Sequence, residues 1–177
     1  VVVNPSNPVS SITLAELKKV WAPGSTVNNW KQINPSFPDL KLDLYGAGTA
    51  SGTFDYFTEA VNGKAKDSRT DYTPTEDDNV TVQGVANNPG GMGYYGLAYY
   101  VQNREKNKAL AVAAPGKAPV SPSKATVENA TYTPLSRPIF IYVNVAAAKN
   151  PSVAAFSNYW LQNGAKYAEE VGYVGLP

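Results

Sequence analysis

Three glycines and three hydroxyl residues crowd one short stretch, Tyr45-Gly46-Ala47-Gly48-Thr49-Ala50-Ser51-Gly52-Thr53-Phe54-Asp55-Tyr56-Phe57. Gly46, Gly48 and Gly52 allow tight backbone turns and close approach to a ligand. Thr49, Ser51 and Thr53 supply rotatable donors that suit a tetrahedral oxyanion. A strand over 41–45, with Leu42 and Leu44 on one face, leads into the loop, and Phe54, Phe57 and Val61 recur at helical spacing after it. The first turn of that helix carries N–H groups without internal acceptors and the positive end of the macrodipole, which together favour an anion. The plainer reading of the same residues is a glycine-rich strand-to-helix turn with an N-cap. The stretch is not a Walker A loop, because no Gly-Lys-Ser/Thr ends it, and the third glycine of a dinucleotide fingerprint falls on Ser51. Nor is it a nucleophile elbow: Ser51 lacks the flanking glycine pattern, and the chain has no histidine to act as base.

Composition narrows the chemistry further. The absence of cysteine and histidine removes disulfides, thiolate nucleophiles, imidazole bases and nearly every zinc, copper or iron site, and leaves only oxygen-ligand sites for calcium or magnesium. A net charge of +1, with no basic run, gives no bulk field for nucleic acid or an acidic membrane surface. No apolar stretch is long enough to span a bilayer. The start, Val1-Val2-Val3-Asn4-Pro5, has no signal-peptide pattern and reads as a strand entering a turn, as if the chain began mid-protein. At 177 residues the chain can hold one domain with a real core, or one lobe plus an extension.

The elements that must position the loop follow from periodicity and punctuation. Residues 10–20 read as a short helix, with Thr13 and Glu16 at capping-box spacing and Leu14, Leu17 and Trp21 on its apolar face. Residues 27–38 read as a loop anchored by Trp30 and Phe37. The helix after the glycine loop runs to about Val61 and closes at Asn62-Gly63. A second helix starts at Thr75, with Glu76, Asp77 and Asp78 in its first turn and Val80, Val82 and Val85 inward. Strands are expected at 92–95 and 110–112, a helix or extended aromatic segment at 97–103, and an irregular stretch at 115–130. Ile139 to Val145 is the most apolar strand candidate. Asn150-Pro151 then caps a helix whose core stripe is Val153, Phe156, Trp160 and Leu161; Asn163-Gly164 interrupts it before a second short helix and a terminal turn over 172–177. Alternating strands and helices make the class α/β.

Several blocks resemble PstS-type phosphate-binding proteins, the substrate-capturing components of bacterial phosphate ABC importers. They are Gly48-Thr49-Ala50-Ser51-Gly52-Thr53-Phe54-Asp55-Tyr56-Phe57-Thr58-Glu59-Ala60, Ser68-Arg69-Thr70-Asp71-Tyr72, Glu76-Asp77-Asp78-Asn79-Val80, Gly91-Met92-Gly93-Tyr94-Tyr95, Pro134-Leu135-Ser136-Arg137-Pro138-Ile139 and Gly172-Tyr173-Val174-Gly175-Leu176-Pro177, in family order. The resemblance implies a periplasmic-binding-protein-like (type II) lobe: a mixed sheet flanked by helices, with a C-terminal helical return segment. It implies that residues 1–138 are the second lobe of a two-lobed binder. Residues 139–177 are then the return strand and helices that join the first lobe, whose N-terminal half is missing here.

Carried over residue by residue, the family's phosphate ligands fall on Ser51, Gly52 and Thr53, with Ser51 and Thr53 donating hydroxyl hydrogens and Gly52 and Thr53 backbone N–H groups. Arg69 is the candidate charge partner, its other role being an ion pair with Asp67 or Asp71, while Arg137 reads as structural. Ala50 stands where the family usually has an acid. The resemblance implies no catalysis, no cofactor and no metal. Its implied partners are inorganic phosphate, the membrane subunits of an ABC importer and a separate chain carrying the missing half, with no nucleic acid; the implied location is periplasmic or at the cell surface. Two other classes stand beside it: a carbohydrate- or peptide-binding module using the twelve tyrosines as platforms, and a serine hydrolase built on Ser51, although no Ser-x-x-Lys starts at Ser51 and the chain has no histidine base.

Overall fold

The structure is a computed structural model that describes residues 1–175. Its elements in order are β1 (Val2–Val3), β2 (Ser11–Thr13), α1 (Leu14–Trp21), α2 (Trp30–Ile33), β3 (Asp43–Ala47), α3 (Gly52–Asn62), β4 (Thr73–Thr75), α4 (Asp78–Ala86), β5 (Gly91–Gly93), α5 (Leu97–Gln102), β6 (Lys108–Ala109), β7 (Ala111–Ala113), α6 (Lys124–Glu128) and α7 (Pro151–Glu170). A single 3₁₀ turn over Ala147–Lys149 precedes α7.

The main sheet runs in the order β4-β3-β5-β1-β6. β3 is parallel to both β4 and β5, whereas β1 is antiparallel to β5 and β6. A short parallel pair, β2 with β7, stands apart. This is the mixed sheet flanked by helices expected of the class. The pleat sends alternate residues of β3 to opposite faces. Leu44 joins a core cluster with Leu17, Val20 and Trp21 of α1 and Phe54, Phe57 and Val61 of α3. The Tyr45 ring lies instead against Gly84 of α4, beside buried Val82 and Val85. The sheet is therefore covered on both faces, which suits the parallel pairing at its centre.

Local chemistry explains the helix ends. Thr13 caps α1: its hydroxyl accepts the Glu16 N–H, and the Glu16 carboxylate accepts the Thr13 N–H at 2.8 Å. Gly63, at φ 90°, ends α3. Aromatic edges tie the helices to the sheet. Trp21 meets Phe57, Tyr72 and Tyr94 edge-on, and Phe57 stacks on Tyr94 at 3.8 Å between centroids.

Several expectations are corrected. The 10–20 helix is shortened by β2, and the 27–38 loop contains α2, whose Trp30 is buried and donates to the Gly90 carbonyl. β4 takes Thr73–Thr75, so α4 starts at Asp78 rather than Thr75, and Val80 faces solvent. The 115–130 stretch contains α6. Ile139 to Val145 forms no strand among the described residues, and its side chains are exposed. The stripe Val153, Phe156, Trp160 and Leu161 enters no core, and α7 runs unbroken through Asn163-Gly164 for 20 residues. Of the terminal turn, Leu176 and Pro177 lie outside the described residues.

Candidate anion site

The loop between β3 and α3 leaves the C-terminal end of a parallel strand, the edge where α/β sheets collect ligands. Its path is fixed from below and from one side. The Gly48 N–H donates to the Thr75 carbonyl of β4 at 2.9 Å, and the Ser51 N–H donates back to the Gly48 carbonyl at 3.0 Å. Tyr72 Oη donates to the Ala47 carbonyl at 2.9 Å. Two of the glycines are required by close approach. A Cβ at Gly46 would stand 2.6 Å from the Tyr94 ring, and one at Gly48 would stand 2.1 Å from a Glu76 carboxylate oxygen.

Ser51 is the N-cap of α3, and its hydroxyl oxygen accepts the Thr53 N–H at 3.1 Å. The first main-chain bond of the helix is Asp55 N–H to the Ser51 carbonyl. The N–H groups of Gly52 and Phe54 therefore begin the helix without intrahelical acceptors. Gly52 is exposed, and Ser51 and Thr53 are half-buried. The structure thus brings Ser51, Gly52 and Thr53 together at a helix N-terminus facing solvent. No lysine or carboxylate bonds to the Ser51 hydroxyl among the described residues, so no base is set against it.

Arg69 is not brought to this loop. It is buried at the other end of α3, where Asn62 and the Arg69 N–H share the Trp21 carbonyl. Eleven helical residues, roughly 16 Å of axis, separate that end from Ser51. Its guanidinium is also committed. Nε and Nη2 fork onto Asp71 at 2.6 and 2.7 Å, while Nη1 donates to the Val20 and Val27 carbonyls at 3.1 and 2.8 Å. These bonds hold the Asp71 carboxyl below its ordinary range, against a smaller opposing effect of burial. Arg69 is a clamp between α1, the 27–28 loop and the chain after α3.

A different arginine lies at the loop. Arg137 Nη2 donates to the Gly52 carbonyl at 3.1 Å, and the guanidinium carbon sits 4.9 Å from the Tyr56 ring centroid. The Tyr56 hydroxyl in turn bonds the Ser136 carbonyl at 2.8 Å and the Pro134 carbonyl. Sequence reasoning missed this contact. The only local signal is Gly52 and Tyr56 at i, i+4 spacing, which puts both on one face of α3.

The acidic run divides its work. Asp77 caps α4 by accepting the Asn79 N–H at 2.9 Å, and Asp78 begins the helix. Glu76 falls before the helix and turns onto the loop, where its Oε1 accepts the Ala50 N–H at 3.3 Å. A carboxylate thus reaches the loop from β4 even though Ala50 itself has none. Among the described residues no three acidic side chains converge as they would around a metal ion.

The chain belongs to the PBP superfamily, whose domain description matches residues 1–163. Among curated relatives, Protein SphX of Synechococcus elongatus is 51% identical over all of this chain and 53% of its own length. Phosphate-binding protein PstS of Staphylococcus saprophyticus is 34% identical, again over all of this chain and 54% of its own. The chain thus spans about half the length of these relatives. A crystal structure described as a possible phosphate binding protein from Planctomyces limnophilus superposes with a TM-score of 0.90 at 47% identity, covering 99% of this chain and 63% of that one. An ABC-type phosphate transport receptor from Vibrio cholerae shares the fold, with a TM-score of 0.76 at 22% identity over 99% of this chain and 68% of that one.

Proposed function

We propose that this chain binds inorganic phosphate without turning it over, through Ser51, Gly52 and Thr53, as one lobe of a receptor serving an ABC-type phosphate importer. The observation that carries the reading is the Ser51-capped N-terminus of α3, left with free N–H donors at the ligand edge of the sheet. The names carried by the relatives support the substrate. In this reading the Ser51 and Thr53 hydroxyls and the Gly52 N–H point to phosphate oxygens. The Thr53 N–H, now bonded to Ser51 Oγ, is released when Ser51 turns to the ion.

The same reading treats residues 1–138 as the second lobe and 139–177 as the return segment. Within that span Ile139, Phe140, Tyr142 and Val145 stand 64–91% exposed, and Phe156 and Leu161 of α7 are as bare. So many large apolar side chains in one stretch mark a surface that is normally covered. The first lobe, in the same protein or on a separate chain, is the cover we assign to it. The importer's membrane subunits are the further partner, and the place of work is the periplasm or cell surface.

A single lobe offers an open half-site, so its affinity is on the order of millimolar, about 4 kcal/mol. Sulfate competes nearly equally, and salt weakens both. The test is a titration of the ¹⁵N-labelled chain with phosphate. The Gly52 and Thr53 amides shift if the reading is right; shifts confined to other surfaces, or none, overturn it.

A further inference from the structure

We propose that Arg137 is the cation of this anion site and that Tyr56 is the residue that positions it. The proposal rests on the phosphate reading of the loop and adds the charge that the loop itself lacks. Arg137 has no carboxylate oxygen within 4.0 Å among the described residues, whereas Arg69 has Asp71 on two of its nitrogens. One N–H of the Arg137 guanidinium goes to the Gly52 carbonyl. The rest of its five-donor fork stays available to two oxygens of a tetrahedral anion.

Its placement makes poor electrostatic sense without an anion. A cation at a helix N-terminus faces the positive end of the macrodipole, where a negative group belongs. Yet the protein holds this one there from two sides. The Tyr56 ring supports the guanidinium face, and the Tyr56 hydroxyl binds the main chain at Ser136, the residue before the arginine. The guanidinium thus lies against the first turn of α3, whose opening residue Gly52 follows the Ser51 cap. Glu76, the carboxylate on the loop, is engaged with the Ala50 N–H rather than with Arg137. Because Arg137 lies just before the exposed 139–145 segment, an anion held by it also ties that segment's starting point to α3.

The experiment titrates inorganic phosphate into the full chain and its R137Q, R137K and Y56L variants, followed by the Gly52 and Thr53 amide shifts. R137Q weakens binding by about tenfold or more, the order expected of a charge-assisted forked contact. R137K recovers part of the loss, and Y56L falls between wild type and R137Q. Salt dependence supplies a readout that a purely structural role would not move: removing one cation from the site makes the salt slope of binding shallower. Raising the pH from about 6 to about 8 converts phosphate to its dianion and tightens binding more in wild type than in R137Q. If wild type responds at Gly52 and Thr53 and R137Q matches it within about twofold, equivalent to under half a kcal/mol, Arg137 is not the cation, although the loop reading stands. If wild type shows no response at these amides, the phosphate reading falls and this inference falls with it.

Discussion

Replacing Arg69 separates a clamp from a ligand. In Arg69→Ala the Val20 and Val27 carbonyls lose charged donors that now sit at 3.1 and 2.8 Å in a region where Arg69 is only 5% exposed. Each such bond contributes about 1.5–3 kcal/mol. The pair with Asp71 adds little, because the Asp71 side chain is 66% exposed and exposed ion pairs are worth about 1 kcal/mol at most. Water reaching the vacated space offsets part of the loss, so the net cost is about 3 kcal/mol. With an urea slope of about 2 kcal/mol/M, the unfolding midpoint falls by about 1.5 M. Asp71→Ala, which leaves the two carbonyl bonds in place, moves it by about 0.5 M or less. The assay is urea unfolding followed by tryptophan fluorescence, since Trp21 lies beside the clamp and accepts the Arg69 N–H. Under native conditions R69A still shifts its Gly52 and Thr53 amides with phosphate. A variant as stable as wild type that has lost this response would refute the reasoning and restore Arg69 as a ligand.

Other outcomes follow from the same contacts. Ser51→Ala removes the cap on the Thr53 N–H and costs about 1 kcal/mol in urea unfolding, while also weakening the phosphate response; an unchanged midpoint would show that Ser51 does not cap α3 in solution. The Asp71 carboxyl is held down by Arg69, so its folded-state pKa lies below the unfolded value of about 3.9. The stability it contributes is present above that value and is lost as pH falls through the folded pKa, so the gap between wild type and Asp71→Asn narrows from about pH 6 to about pH 3. A gap that stays constant over that range would contradict it. Supplying the first lobe of a close relative, fused or as a separate chain, should cover the 139–161 apolar surface and raise phosphate affinity well beyond millimolar; calorimetry showing no gain would count against the lobe assignment.

What was legible in the sequence was local. The glycine run, the Ser51 cap and the Gly63 stop depend on neighbours within one helix, and the structure places them at α3 as expected. Arg69 was misplaced because the carbonyls that hold it, at Val20 and Val27, are more than forty positions away and carry no side-chain signature. The contacts of Arg137 to Gly52 and Tyr56 join distant segments, and nothing beside it in the chain announces them. Glu76 looked like one of three helix-start acids. Parallel pairing of Thr73–Thr75 with β3 delays the helix and leaves Glu76 on the loop. The apolar patterns at Ile139 to Val145 and along α7 suggest a strand and a core stripe, but periodicity cannot say what packs against them, and the described residues leave these side chains bare.

The most direct measurement is a crystal structure of this chain grown in saturating phosphate. The account predicts a tetrahedral ion at the N-terminus of α3, bonded by the Gly52 N–H and the Ser51 and Thr53 hydroxyls and faced by Arg137. A well-ordered loop with no ion there, or an ion held only at another surface, would contradict it.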